Sequence, residues 1–185
     1  MDRINQAFEE YPREDFLPED KKSAANYDAP IPIGYNQTNS QPTTVTRMLI
    51  WLDVQPGQKI LDVGSGSGWT TALLSYLVGN QGEVYAVEKV PELVEFGREN
   101  CEKQQIENAS FHQAGDVFGL PSHAPYDRIL VSAAASDLPD ELVRQLTLGG
   151  RMVIPVQNSI LAVDKSPEGT ITVVEYAGYA FVPLI

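Results

Sequence analysis

The chain has little with which to hold a metal or close a disulfide. Its 185 residues include one cysteine, Cys101, and two histidines, His112 and His123. A single cysteine cannot form an intrachain disulfide, and a structural zinc site needs about four Cys or His ligands. Cations are also scarce. Lys and Arg number 13 against 25 Asp and Glu, giving a formal net charge of −12. Nucleic-acid backbones are gripped by clustered Lys and Arg, so this balance argues against nucleic-acid binding and against docking on an anionic membrane. No run approaches about 18 consecutive apolar residues, so no membrane span is expected. The opening residues lack the apolar core of a secretion signal. With 43% hydrophobic residues, a core can still form. The expectation is one acidic, monomeric, cytoplasmic domain over 1–185.

Residues 1–42 form a polar, proline-punctuated segment, with a short helix expected near 2–10. Beyond it, Val45, Met48, Leu49 and Leu52 fall at helical spacing after Pro42 and before Pro56-Gly57. Short apolar runs then alternate with helical patterns. Strands are expected at 59–64, 83–88, 109–114, 126–134 and 151–156, and helices at 69–78, 91–103 and 139–147, the last stopped by Gly149-Gly150. Ile160–Val163 and Ile171–Val174 flank Ser166-Pro-Glu-Gly169 and read as a hairpin. The pattern predicts a doubly wound α/β domain, its sheet mainly parallel with an antiparallel C-terminal edge.

The sharpest chemical signal is Leu61-Asp-Val-Gly-Ser-Gly-Ser-Gly68, lying between a strand and a helix. Gly64, Gly66 and Gly68 let the backbone turn tightly and approach a ligand. The spacing is not the Gly-x-Gly-x-x-Gly of dinucleotide sites, and Trp69 would crowd a pyrophosphate. Glu88 ends the next strand, 20 residues beyond Gly68, where a carboxylate can accept both hydroxyls of a ribose. Asp116 follows the third strand. It could take an adenine amino group or serve as an Asx turn. Asp62, inside an apolar strand, needs partners such as backbone N–H groups or a ligand ammonium. A ribose, an adenine and a charged group without a diphosphate describe S-adenosylmethionine.

Ile33-Gly-Tyr-Asn-Gln-Thr-Asn-Ser-Gln-Pro42 forms a polar loop before a helix. The helix N-terminus could hold a substrate carboxylate, with Ser40 donating a further bond. The plainer role for Ser40 is an N-cap, and both remain open on the residues alone. No base partner or Gly-x-Ser-x-Gly elbow marks Ser40 as a hydrolase nucleophile.

These stretches together resemble the protein-L-isoaspartate O-methyltransferases. The resemblance rests on Tyr11-Pro-Arg-Glu-Asp-Phe-Leu-Pro18, the 32–42 loop, the 61–68 glycine block, Ala124-Pro-Tyr-Asp-Arg-Ile-Leu-Val131 and Phe181-Val-Pro-Leu184. It implies a Rossmann-like methyltransferase. Such enzymes esterify the free carboxylate of L-isoaspartyl residues in damaged proteins. The ester then collapses to a succinimide that reopens partly to aspartate. By the same resemblance Ser40 matches the active-site position. Thr38, Asp62, Gly64, Ser65, Gly66, Gly68, Glu88 and Asp116 match cofactor contacts, and Asn39 and Val182 fall in the substrate region. The chain departs from the family's pattern at Asn36, Asn39, Val117 and Ser132, and shows less helix ahead of Pro12-Arg-Glu. The readings to separate are therefore isoaspartyl methylation, the same fold acting on another acceptor, and a cofactor-binding module without turnover.

Overall fold

The structure is a computed structural model describing residues 2–185. It opens with helix α1 (Asp2–Glu10), which buries Ile4 and Ala7. Two 3-10 turns, Arg13–Phe16 and Glu19–Ala24, lead into a small antiparallel pair, β1 (Ile31–Gly34) and β2 (Gln37–Asn39). Tyr35 and Asn36 turn that hairpin with φ of 54° and 57°, the left-handed region that Asn tolerates better than most side chains. Helix α2 (Pro42–Leu52) starts on Pro42, whose missing N–H costs nothing at that position.

Then the alternation begins: β3 (Lys59–Val63), α3 (Trp69–Val78), β4 (Glu83–Glu88), α4 (Pro91–Lys103), β5 (Ala109–Gln113) and β6 (Tyr126–Val131). A short α5 (Asp140–Arg144) precedes β7 (Leu146–Val156), and β8 (Ser159–Lys165) and β9 (Ile171–Ala177) close the chain's sheet. The strand order is β5-β4-β3-β6-β7-β8-β9. The first five are parallel, and β8 and β9 run antiparallel at one edge. This is the doubly wound arrangement the alternation predicts.

The period-2 geometry of β3 divides the core. Ile60 packs with α1, α2 and α3, through residues such as Leu49, Leu52 and Leu73. Leu61 and Val63 face the other side, with Ile129, Val131 and Leu142 of α5. All of Ile60, Leu61, Leu73, Ile129 and Leu142 are fully buried, so both faces of the central strands are dry.

One expected element is different. The helix predicted over 139–147 spans only Asp140–Arg144, and Gly149-Gly150 lies inside β7. Gln145 ends the helix. Its amide donates to the Phe118 and Glu141 carbonyls and accepts the Leu120 N–H, while its backbone carbonyl takes the Tyr126 N–H. The chain is thereby committed to β7 one residue later. Gly149, at φ +80°, lies where the register with β6 is broken: β7 advances from Leu146 to Arg151 while β6 advances only from Tyr126 to Arg128.

Candidate active site

In an open parallel sheet the carboxyl ends of the strands face a crevice. Here β3 runs into Gly64-Ser-Gly-Ser-Gly68, with φ of +76°, +51° and +85° at the three glycines. Glu88, at the end of β4, is buried and stitches this turn in place. One carboxylate oxygen accepts the Gly66 N–H at 2.9 Å, and the other accepts the Val90 N–H at 3.0 Å. Each oxygen keeps a second lone pair, and Glu88 lines a cleft of about 220 Å³. Gly64, Gly66, Asp116 and Phe118 share that cleft. Gly68 does not border it. A Cβ there would sit 2.8 Å from the Gly97 carbonyl oxygen, so Gly68 lets the start of α3 pack directly against the backbone of α4.

Asp62 lies one turn deeper, with no exposed surface. One of its carboxylate oxygens accepts the Thr70 and Thr71 hydroxyls at 2.9 and 2.7 Å, and the other has no partner. Burial pushes its carboxyl up to about 6, against the pull of the two hydroxyls, with Glu88 adding repulsion. The partners that sequence reasoning sought for Asp62 are thus threonine hydroxyls from the first turn of α3. Ser65 is also buried, its hydroxyl unpartnered, beside a small cavity of about 20 Å³.

The opposite wall is the β2–α2 loop. Ser40 borders both the small cavity and a groove of about 280 Å³, which Pro30, Thr44, Phe181 and Val182 also line. Thr38 and Ser132 line the groove, the small cavity and the cleft alike. The three spaces therefore adjoin one another at Thr38 and Ser132, as neighbouring parts of one trench-shaped region. It runs from Glu88 and Asp116, past the glycine turn, to Ser40 and Val182. The C-terminal segment roofs it: Ala134 donates to the Val182 carbonyl and accepts the Leu184 N–H, both at 2.8 Å. Asn39 is 5% exposed and touches the small cavity, but both ends of its side chain are engaged within the protein, with Arg13 and with Ser67.

The N-terminus of α2 is not open to a substrate carboxylate in the way the loop suggested. Asp28 reaches it first. Its carboxylate accepts the Thr43 N–H at 2.9 Å, the Thr43 hydroxyl at 2.7 Å and the Gln41 amide at 3.1 Å. Those bonds, the Thr43 backbone N–H foremost, hold the Asp28 carboxyl below its ordinary value. Ser40 is not the cap either, because Gln41 occupies that position.

A glycine turn and strand-end acids on a doubly wound sheet narrow the possibilities, and comparison decides between them. The family model for protein-L-isoaspartate(D-aspartate) O-methyltransferase matches residues 1–185. The chain belongs to this family. A protein-L-isoaspartate O-methyltransferase of Aeropyrum pernix is 47% identical over 99% of this chain and 72% of its own length. One from Methanothrix thermoacetophila is 44% identical, over 100% and 88%. A solved protein-L-isoaspartate O-methyltransferase structure superposes with a TM-score of 0.90 at 27% identity, covering 99% of this chain and 61% of that one.

Three contributors to this methyltransferase site escaped the sequence reading. Ser132 was noted only as a departure from the family's pattern. Yet it follows β6 directly and donates its N–H to Val63, so the strand-end rule that picks Gly64, Glu88 and Asp116 also picks Ser132. Gly97, in mid-helix, is the unsignalled partner of Gly68. Arg13 is the largest omission. It is 5% exposed and lies 5.6 Å over the Trp69 ring. It donates to the carbonyls of Tyr27, Ala29, Asn39 and Ser40 at 2.8 to 3.0 Å, and to the Asn39 side-chain oxygen at 2.6 Å. Burial pulls its guanidinium down to about 10, partly countered by Asp28, so it stays charged at neutral pH. An arginine flanked by Pro12 and acids reads as surface on the sequence alone.

Proposed function

We propose that this chain, acting as one methyltransferase domain over 1–185, transfers the methyl group of S-adenosylmethionine to the free carboxylate of L-isoaspartyl residues in damaged proteins. The observation that carries the proposal is the adjacency of the three spaces along the trench, with Thr38 and Ser132 lining each of them. A nucleoside held at one end can meet a peptide carboxylate presented at the other.

The residues fit the cofactor. Glu88 has free lone pairs for the ribose hydroxyls, and Asp116 stands at the rim for the adenine amino group. Gly64 and Gly66 leave the backbone open for close approach, and the unpartnered Ser65 hydroxyl can serve the amino-acid end. The lone oxygen of Asp62 offers buried negative character behind the turn, which suits an ammonium. When bound, S-adenosylmethionine supplies an electrophilic methyl group on a sulfonium.

The protein's own task is orientation. A peptide carboxylate, with an ordinary value near 3.5, is already ionised at pH 7, so no general base is needed. Thr38 and Ser40 hold the anion in line, Asn39 shapes the loop that carries Ser40, and Val182 and its neighbours cover the trench against water. Methyl ester formation leaves succinimide closure and hydrolysis to follow without further help from the chain. We also infer a monomer working in the cytoplasm, without nucleic-acid or membrane partners. The net charge of −12 supports this, and no helix among the described residues is long and apolar enough to cross a membrane.

The test is radiolabelled methyl transfer to an isoaspartyl peptide and to its aspartyl twin, followed by alkaline release of methanol. Label is expected on the isoaspartyl peptide alone. Ser40→Ala should lower kcat about tenfold, the worth of one orienting hydrogen bond. Equal labelling of the two peptides would overturn the substrate assignment.

A further inference from the structure

The two walls of the trench are joined by a line of buried polar side chains that the methyl transfer itself does not use. Arg13 Nε donates to Asn39 Oδ1 at 2.6 Å, and Asn39 Nδ2 donates to Ser67 Oγ at 3.1 Å. Arg13 Nη2 holds the backbone carbonyls of both Asn39 and Ser40, at 3.0 and 2.9 Å. One guanidinium thus fixes the side chain and main chain of Asn39 together with the main chain of Ser40. The far end of the line is the glycine turn, where the Ser67 carbonyl is itself tied to Asn100 Nδ2 of α4 at 3.0 Å.

The direction of the relay is forced. Arginine carries only donors, so the oxygen of the Asn39 amide must face Arg13 and its nitrogen must face Ser67. Ser67 therefore accepts, and its own hydroxyl hydrogen is left to point elsewhere. Arg13, Asn39 and Ser67 are 5%, 5% and 3% exposed, so breaking one of these bonds costs more than it would at the surface. A displacement of the turn at Ser67 must carry Asn39 with it or orphan a buried donor. Because Asn39 precedes Ser40 on the same guanidinium, Ser40 moves too.

We propose that Asn39 is a positioning residue that couples the cofactor cleft to the Ser40 loop, so that occupancy of one raises affinity at the other. This rests on the reading of the trench as a cofactor and isoaspartyl-peptide site. It assigns Asn39 a specific part in that reading: transmission between the two halves through its amide, with the peptide met by its neighbours.

The experiment measures isoaspartyl-peptide affinity by calorimetry with and without saturating S-adenosylhomocysteine, which fills the cleft without turnover. The wild-type chain should bind the peptide about fivefold or more tightly when the cleft is filled. Ser67→Ala removes the acceptor end and leaves every Arg13 bond in place. It should reduce that ratio to below about twofold, and Asn39→Leu should do the same. A merely structural role would lower melting temperature and weaken both ligands while leaving the ratio unchanged. An unchanged ratio in Ser67→Ala, or no coupling in the wild type, overturns the proposal. If the wild type binds neither ligand, the reading of the trench falls and this inference falls with it.

Discussion

The two walls of the trench are built in opposite ways. The glycine wall rests mainly on adjacent strands: Glu88 and Asp62 bond within β4, the turn at 64–68 and the first turn of α3, and only Ser67 reaches further, to Asn39 and to Asn100 of α4. The Ser40 wall is remote. Its carbonyl is held by an arginine 27 residues away, and its helix is capped by Asp28 from another segment. A wall made by contiguous backbone keeps its shape whenever the sheet forms. A wall made by one buried cation keeps its shape only while that cation is bonded, which makes the substrate side the easier to loosen and the more open to regulation.

The largest break should come from Arg13→Ala. It strips acceptor carbonyls of Tyr27, Ala29, Asn39 and Ser40 of one common donor in a dry site. Losses of this kind cost about 4 kcal/mol, measured as the change in urea unfolding free energy at pH 7. Peptide affinity should fall much further than S-adenosylhomocysteine affinity. Equal losses for the two ligands would mean that the walls are not independently supported, and the contrast drawn above would fail.

That contrast also explains what the sequence could be read to say. The sheet, the glycine turn and the strand-end place of Glu88 were legible because each is signalled within a few residues: a short apolar run, a cluster of glycines, an acid at a strand end. The pairing of Gly68 with Gly97 was not, since a glycine in mid-helix carries no marker of what it crosses. Arg13 was illegible for a stronger reason. Its burial depends on carbonyls from residues 25 to 40, and a carbonyl has no sequence signature. The helix expected over 139–147 failed similarly, because Gln145 is turned into the next strand by partners at 118–120.

The local wall carries its own penalty, which pH can expose. Burial raises the Asp62 carboxyl from an ordinary 3.8 to about 6. The folded state thus favours the protonated form, and its contribution is fully present below pH 3.8 and lost as pH rises through 6. The gap corresponds to about 3 kcal/mol. Wild-type stability should fall relative to Asp62→Asn by about 2 kcal/mol between pH 4 and pH 6, most of that gap, and run parallel above about pH 7. Unfolding in urea at a series of pH values measures this directly. A difference that grows above pH 7 would show that the penalty belongs to another group.

The smallest effect is the most informative about the Ser40 wall. Asp28 is exposed, and its carboxyl is held below 3.8 mainly by the Thr43 N–H. Its support of α2 is therefore present above that value and lost as pH falls through the lowered one. Asp28→Ala should lower the melting temperature slightly at pH 7, and the difference should vanish in acid below the wild type's own titration. If Ser40 and Thr38 receive the substrate carboxylate, isoaspartyl-peptide affinity should stay within about twofold of wild type, since exposed anion contacts are worth little. If the helix end is the real anion site and Asp28 merely competes for it, the same substitution should tighten peptide binding instead. The sign of that change separates a wall that grips with side-chain hydroxyls from one that grips with a helix dipole, because Asp28 occupies the dipole's end and neither hydroxyl.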